Sequence, residues 1–183
     1  MSVKLSVKIQ HIINHMLDYQ RMNGIVEQCM TNVQTLYDII TSNIESTIKV
    51  GTKYEIKVKP CIILSHDGES NITEVVSQHV ILDVDGLEID PSYETLSLKN
   101  AIYFKDYREF MDFLSERSKK SLDESVGIKT ILEGYITAVG LSDRMNNGEF
   151  LISDKQFYDN QLDYVIKKMK ETFLCSPVHN DII

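Results

Sequence analysis

The chain has 183 residues, enough for one compact domain, and 43% of them are hydrophobic, enough for an ordinary core. Its formal charge of −8 repels a phosphate backbone and argues against nucleic acid as a partner. No stretch is apolar enough to span a bilayer and the start lacks an apolar leader core, so the sequence predicts a cytoplasmic protein with no membrane partner.

Residues 3–22 carry apolar groups at helical spacing, with Leu5, Ile9, Ile12, Ile13, Met16 and Tyr19 in one stripe. Asn23-Gly24 ends that helix, because glycine enters the left-handed region without strain. A second helix is predicted over about 28–45, with Val33, Leu36, Tyr37, Ile40 and Ile44 as its apolar face. The pattern then changes period. Residues 54–59 alternate strictly between apolar and charged, as in a half-buried strand, and 61–64 continue it past Pro60. Proline cannot donate to a ladder, so Pro60 predicts an edge or a bulge. Residues 66–71 form a polar turn, and 72–84 and 87–90 supply further strands about Asp85-Gly86, a two-residue hairpin signal. From 104 onward the chain reads as mainly helical, over 107–114, 128–135 and 154–174. The last of these turns Phe157, Leu162, Val165, Ile166 and Met169 inward. Residues 1–175 are thus predicted as a single α+β domain: a helical N-terminal part, a central antiparallel sheet and a helical C-terminal part, followed by a flexible tail over 176–183.

The hairpin register makes a chemical prediction. Folding about Asp85-Gly86 sets Val84 opposite Leu87, Leu82 opposite Ile89 and Val80 opposite Pro91, an apolar face that must be buried. The other face carries His79, Ile81, Asp83, Glu88, Asp90 and Ser92, with His79 opposite Ser92 and diagonal to Asp90. The register that builds a core therefore brings an imidazole beside a carboxylate. Cys29 opens the second helix, and a helix start and a neighbouring imidazolium both favour a reactive thiolate. Cys29, His79 and Asp90 are accordingly the candidate nucleophile, base and orienting acid. The backbone N–H of Cys29, with the side-chain amide of Gln28 or Asn23, is the candidate oxyanion site.

A cysteine at a helix start, then a strand with His79-Val80, then Asp90-Pro91-Ser92, resembles the transglutaminase-like branch of the papain-like cysteine hydrolases. That branch writes its aspartate as Asp-Pro-Thr or Asp-Pro-Ser, and Asn23 sits six residues before Cys29, where papain-like peptidases carry an oxyanion glutamine. The resemblance covers 23–93. It departs from the family at Met30, where an aromatic usually follows the cysteine, and at Val80-Ile81-Leu82, where one usually follows the histidine. It implies a papain-like fold, a peptide, amide or ester substrate, and no metal or organic cofactor.

Other constellations read as structural. His11, His15 and Asp18 share a helical face but lack the glutamate of a zinc-protease motif. Asp83, Asp85, Glu88 and Asp90 lack the spacing of a calcium loop, and no phosphate-binding glycine loop is present. Cys29, Cys61 and Cys175, odd in number and widely spaced, suggest free thiols. The sequence thus predicts a cysteine hydrolase (peptidase or amidase) or acyltransferase. Its rival is a non-catalytic binding or scaffold protein on the same fold, with the terminal amphipathic helices serving a homo-oligomer.

Overall fold

The computed structural model describes residues 3–42, 54–68, 71–117 and 127–174. Cys175, Ile44, the far end of the second predicted helix, part of the 66–71 turn and the predicted tail 176–183 lie outside the described residues. The elements, in order, are α1 (Val3–Met22), α2 (Cys29–Thr41), β1 (Ile56–His66), β2 (Ile72–Val84), β3 (Leu87–Ile89), α3 (Tyr93–Leu96), β4 (Ile102–Phe104), α4 (Tyr107–Arg117), α5 (Gly127–Asn146) and α6 (Lys155–Leu174). The fold is α+β, with a four-stranded antiparallel sheet of order β3-β2-β1-β4. No helix among the described residues is long and apolar enough to cross a membrane.

Two turn signals work as the sequence predicts. Gly24 takes φ +65°, and the Ile25 N–H closes on the Gln20 carbonyl at 2.9 Å, which stops α1 at Met22. Asp85 and Gly86 both have positive φ, 51° and 81°, the requirement of a tight hairpin whose twist matches its strands. The ladder pairs Val84 with Leu87 and Leu82 with Ile89, as expected. It stops there: the chain turns away at Asp90, so the predicted pairings of Val80 with Pro91 and His79 with Ser92 do not form. Val80, Leu82 and Val84 are buried, but Leu87 is 42% exposed, against expectation. β3 is only three residues long at the sheet edge, and Leu87 sits beside the turn, beyond the helices that cover Val84.

One face of the sheet, with Val58, Val80, Leu82 and Val84, packs against α1, α2, α5 and α6 through Ile12, Met16, Leu36, Ala138, Val165 and Met169. Farther along β1, Ile62 and Leu64 meet Phe104, Phe110 and Ile131. Cys61, Ile63 and Ile81 form a smaller cluster, closed by Leu98 and the segment around it. α2 is enclosed on nearly every side: Thr31, Asn32, Gln34 and Thr35 are buried with Val33, Leu36 and Ile39. Its polar side chains must therefore find partners inside the protein.

Pro60 is accommodated by a local edge. β4 pairs only with 62–64, so β1 has an open side before that point. There the Asn146 side chain accepts from Val58 N–H at 2.8 Å and donates to Val58 C=O at 2.9 Å, in place of a strand. Pro60, two residues on, turns its nitrogen to that same side, where no ladder bond is lost. A bulge lies next to it. Cys61 pairs with His79 and Ile63 with Val76, so Ser77 and Gln78 together oppose Ile62. The extra residue shifts the alternation of β2 and puts Val76 and His79, three apart, on one face. α5 presses on this bulge at Gly134, where a Cβ would clash with Ser77 Oγ and meet Gln78 N at 3.3 Å. The short α3 and β4, four and three residues long, are too brief to show a period and stand outside the expected elements.

Candidate functional site

Three separate pieces of chain meet at the site. α2 begins at Cys29, with Gln28 as its N-cap residue at φ −100° and ψ 46° and with Glu27 held at φ 60° just before it. Asn32 N–H bonds to the Gln28 carbonyl at 2.8 Å, which closes the first turn. Cys29, in that turn, has a backbone N–H with no acceptor inside the helix. Its side chain is half-buried against the main core.

The bulge delivers His79 just before the well-ordered stretch of β2, and the hairpin delivers Asp90 just after β3. His79 Nε2 lies 3.1 Å from Asp90 Oδ2, at the distance of a hydrogen bond but off its straight line. The side chains are 1% and 7% exposed, so the contact is shielded from bulk water. The Cys29 thiol is close enough to the same imidazole to raise its pKa. The structure thus brings together all three residues of the predicted cluster.

Electrostatics favour a charged ring. Burial is the largest influence on His79 and pushes its pKa down; the bonds and charges of Asp90 and Cys29 together outweigh it and raise the pKa to about 9. Burial likewise pushes the Asp90 carboxyl up, but His79, Tyr103 and the Ser92 N–H hold it below the usual carboxylate range. The Tyr103 hydroxyl donates to Asp90 Oδ2 at 2.6 Å and Ser92 N–H donates to Oδ1 at 2.9 Å. Asp90 is therefore held on both oxygens. Tyr103, raised in pKa by burial and by Asp90, remains a phenol and a donor.

The two amide candidates separate. Gln28 accepts from Thr31 Oγ1 at 3.4 Å, and its NH2 makes no hydrogen bond among the described residues. Asn23 is exposed and donates Nδ2 to the Tyr19 carbonyl at 2.7 Å. It finishes α1, so its amide is spent at that helix end rather than turned toward Cys29. Local capping outweighs the six-residue spacing that suggested an oxyanion role.

Sequence reasoning missed the support around the cluster. Asn32, Ser92, Gln20, Thr35 and Gln161 are all fully buried. Asn32 Nδ2 donates to Ser92 Oγ at 2.9 Å, and Asn32 Oδ1 accepts from Gln20 and, at 3.4 Å, from Gln161. Gln161 also donates to Thr35 Oγ1 at 3.1 Å and accepts from Gln20 at 2.7 Å. The available signal was polar side chains on the apolar stripes of α1, α2 and α6. A cavity of about 440 Å3 adjoins the cluster at Asp90, lined by Ile81, Glu88, Asp90, Tyr93, Ala101 and Tyr103.

The remaining candidates stay structural. Asp83 is ion-paired with Lys59, and Glu88 lies between Lys59 and Lys105. His11 stacks on His15 and meets Phe173 edge-on. Among the described residues no group of three or more His, Cys, Asp or Glu is placed to hold a metal ion. Compared with known proteins, the chain matches no family model, no curated relative and no solved structure.

Proposed function

We propose that the protein is a cysteine-dependent hydrolase, a peptidase or amidase, or an acyltransferase, on a papain-like fold of the transglutaminase-like kind. The observation that carries this reading is the shared ring: the Cys29 thiol and the Asp90 carboxylate both bear on the imidazole of His79. A helix-start thiol, a strand-borne imidazole and a carboxylate after the returning strand supply a nucleophile, a base and an orienting group from three elements.

In this mechanism Cys29 Sγ attacks the carbonyl carbon of an amide, ester or thioester, and its proton is held by His79. The carbonyl π electrons move onto oxygen. The Cys29 N–H, unused by the helix, and the Gln28 NH2, which has no acceptor among the described residues, are the donors for that oxyanion. Collapse breaks the bond to the leaving group, which departs with the proton from His79, and leaves an acyl-thioester on Cys29. Water, or an amine or alcohol in the acyltransferase case, then attacks the thioester. His79 takes the proton of the incoming group, and collapse returns it to Cys29. Asp90 fixes the ring through Nε2 and stabilises the imidazolium in both halves.

The test pairs turnover with stability. Wild-type protein is expected to hydrolyse a panel of p-nitrophenyl esters and acyl-thioesters, and Cys29→Ala and His79→Ala to lose that activity equally, since nucleophile and base act as one unit. Cys29 is half-buried, so Cys29→Ala should cost about 1 kcal/mol or less of stability. Wild-type protein inert toward every ester, thioester and peptide, with a Cys29→Ala variant that melts several degrees lower, would overturn the enzymatic reading in favour of a binding or scaffold role.

A further inference from the structure

We propose that Asn32 and Ser92 are positioning residues that hold the Cys29 thiol against His79 by closing a ring of contacts. The inference rests on the reading of Cys29, His79 and Asp90 as a catalytic unit. The ring runs through five residues. Cys29 stands close enough to His79 to raise its pKa, and His79 Nε2 lies 3.1 Å from Asp90 Oδ2. Asp90 Oδ1 accepts from Ser92 N–H at 2.9 Å, and Ser92 Oγ accepts from Asn32 Nδ2 at 2.9 Å. Asn32 lies three residues after Cys29 in α2, so both project from one side of a rigid turn. The chain of contacts that leaves the nucleophile returns to the helix that carries it.

The ring matters because its two sides belong to different parts of the fold. Cys29 stands at the start of α2, while Asp90 follows the short edge strand β3. No ladder joins α2 to that turn, and β3 itself ends at Ile89. The Asn32–Ser92 bond is a direct polar tie between them, fully removed from water at both ends. Buried hydrogen bonds of this kind are directional and costly to leave unmade, so they fix distance as well as add stability. The Asn32 carbonyl accepts from Gln20 of α1 and Gln161 of α6, while its NH2 donates to Ser92. Thus α1 and α6, remote from the thiol, are tied through that amide to the turn that holds Asp90.

The test uses the full chain and needs no natural substrate. Iodoacetamide alkylation of the Cys29 peptide, followed by mass spectrometry from pH 5.5 to 8.5 well below the melting temperature, reports how well the imidazole supports the thiolate. His79→Ala is the reference for loss of that support. Ser92→Ala keeps the backbone N–H bond to Asp90 and removes only the acceptor of Asn32. It is expected to slow alkylation at pH 6.5 by about five- to tenfold, and Ser92→Thr, which restores a hydroxyl, to recover the rate. Asn32→Ala combined with Ser92→Ala should be no slower than the slower single variant, because the two act through one bond. A Ser92→Ala profile that matches wild type while His79→Ala is slow would overturn the ring and leave the catalytic unit standing. A fall that Ser92→Thr does not recover would also overturn it. Cys29 reactivity unchanged by His79→Ala would overturn the catalytic unit and the ring together.

Discussion

Raising the pH from 6.5 to 8.5 should destabilise this protein by an amount set by one side chain. The folded state holds His79 at a pKa of about 9, against an ordinary value of 6.5. A group whose pKa is raised by folding contributes its full stability below the unfolded value and loses it as the pH climbs through the folded one. With about 1.4 kcal/mol for each tenfold change in proton affinity, His79 contributes about 3 kcal/mol at pH 6.5 and about 1 kcal/mol at pH 8.5, a loss of about 2 kcal/mol. The window isolates His79. Asp90 is depressed, so its contribution is lost only in acid, as the pH falls through its folded pKa. Burial raises Cys61, and burial with Asp38 raises Tyr158; both lose their contributions only above their ordinary values, near 9 and 10. His15 is lowered by burial, so it weakens the fold below pH 6.5 and not above. Urea unfolding at half-unit steps measures the profile, with His79→Gln as the control that should flatten it. Stability that holds level or rises across the window, or a His79→Gln variant with the same fall, would refute the argument.

Three further changes probe the surroundings of the ring. Tyr103→Phe removes a donor from the oxygen of Asp90 that faces His79, so the carboxylate should lean more on the imidazole. The expected result is a further rise in the His79 pKa in a proton NMR titration and a loss of about 1 kcal/mol in urea unfolding; a lowered pKa would contradict it. Gly134→Ala should destabilise by about 1–3 kcal/mol despite the better helix propensity of alanine, because α5 must back away from the bulge before His79. Adding Ser77→Gly should return most of that loss, and thermal melts of the two variants decide. His79→Leu alone should cost about 3–5 kcal/mol by stranding the Asp90 charge, and Asp90→Asn on top of it should restore most of the stability. A His79→Leu variant as stable as wild type would mean that the pair is not a desolvated ion pair.

Local chemistry explains why much of this fold could be read in advance. Gly24 and the Asp85-Gly86 turn need backbone conformations that few residues accept, so α1 and the hairpin ended where those residues stand. The period-two pattern through Val80, Leu82 and Val84 then gives the register from Val84–Leu87 to Leu82–Ile89, and His79 approaches Asp90 just beyond the end of that ladder. The bulge at Ser77-Gln78 was not legible in the same way. It depends on α5 coming close at Gly134, more than 50 residues away in sequence, and only a slip in alternation after Val76 marks it. β4 is too short to show a period. Gln20, Asn32 and Gln161 do not read as buried, because an amide in a helix ordinarily faces water. Only the enclosure of α2 by α1, α6 and the sheet turns them into a buried layer. Leu87 failed for the opposite reason: alternation assigns a face but not how far the covering helices extend.

The polar character of this region bears on the choice between enzyme and scaffold. Burying an imidazolium and a carboxylate costs several kcal/mol of desolvation, which their attraction returns only in good geometry, and well-packed apolar residues often serve a core as well or better. Here His79 Nε2 lies 3.1 Å from Asp90 Oδ2 but off the line of a straight hydrogen bond. Yet the carboxylate is held on both oxygens, and a layer of five buried polar side chains stands behind it. Under the proposed function that support has a use, because proton transfer depends on placing Cys29, His79 and Asp90 within fractions of an ångström. Among the described residues three buried side-chain polar atoms lack a hydrogen-bond partner: His79 Nε2 at this cluster, Gln20 Oε1 in the layer behind it, and His15 Nε2 elsewhere on α1.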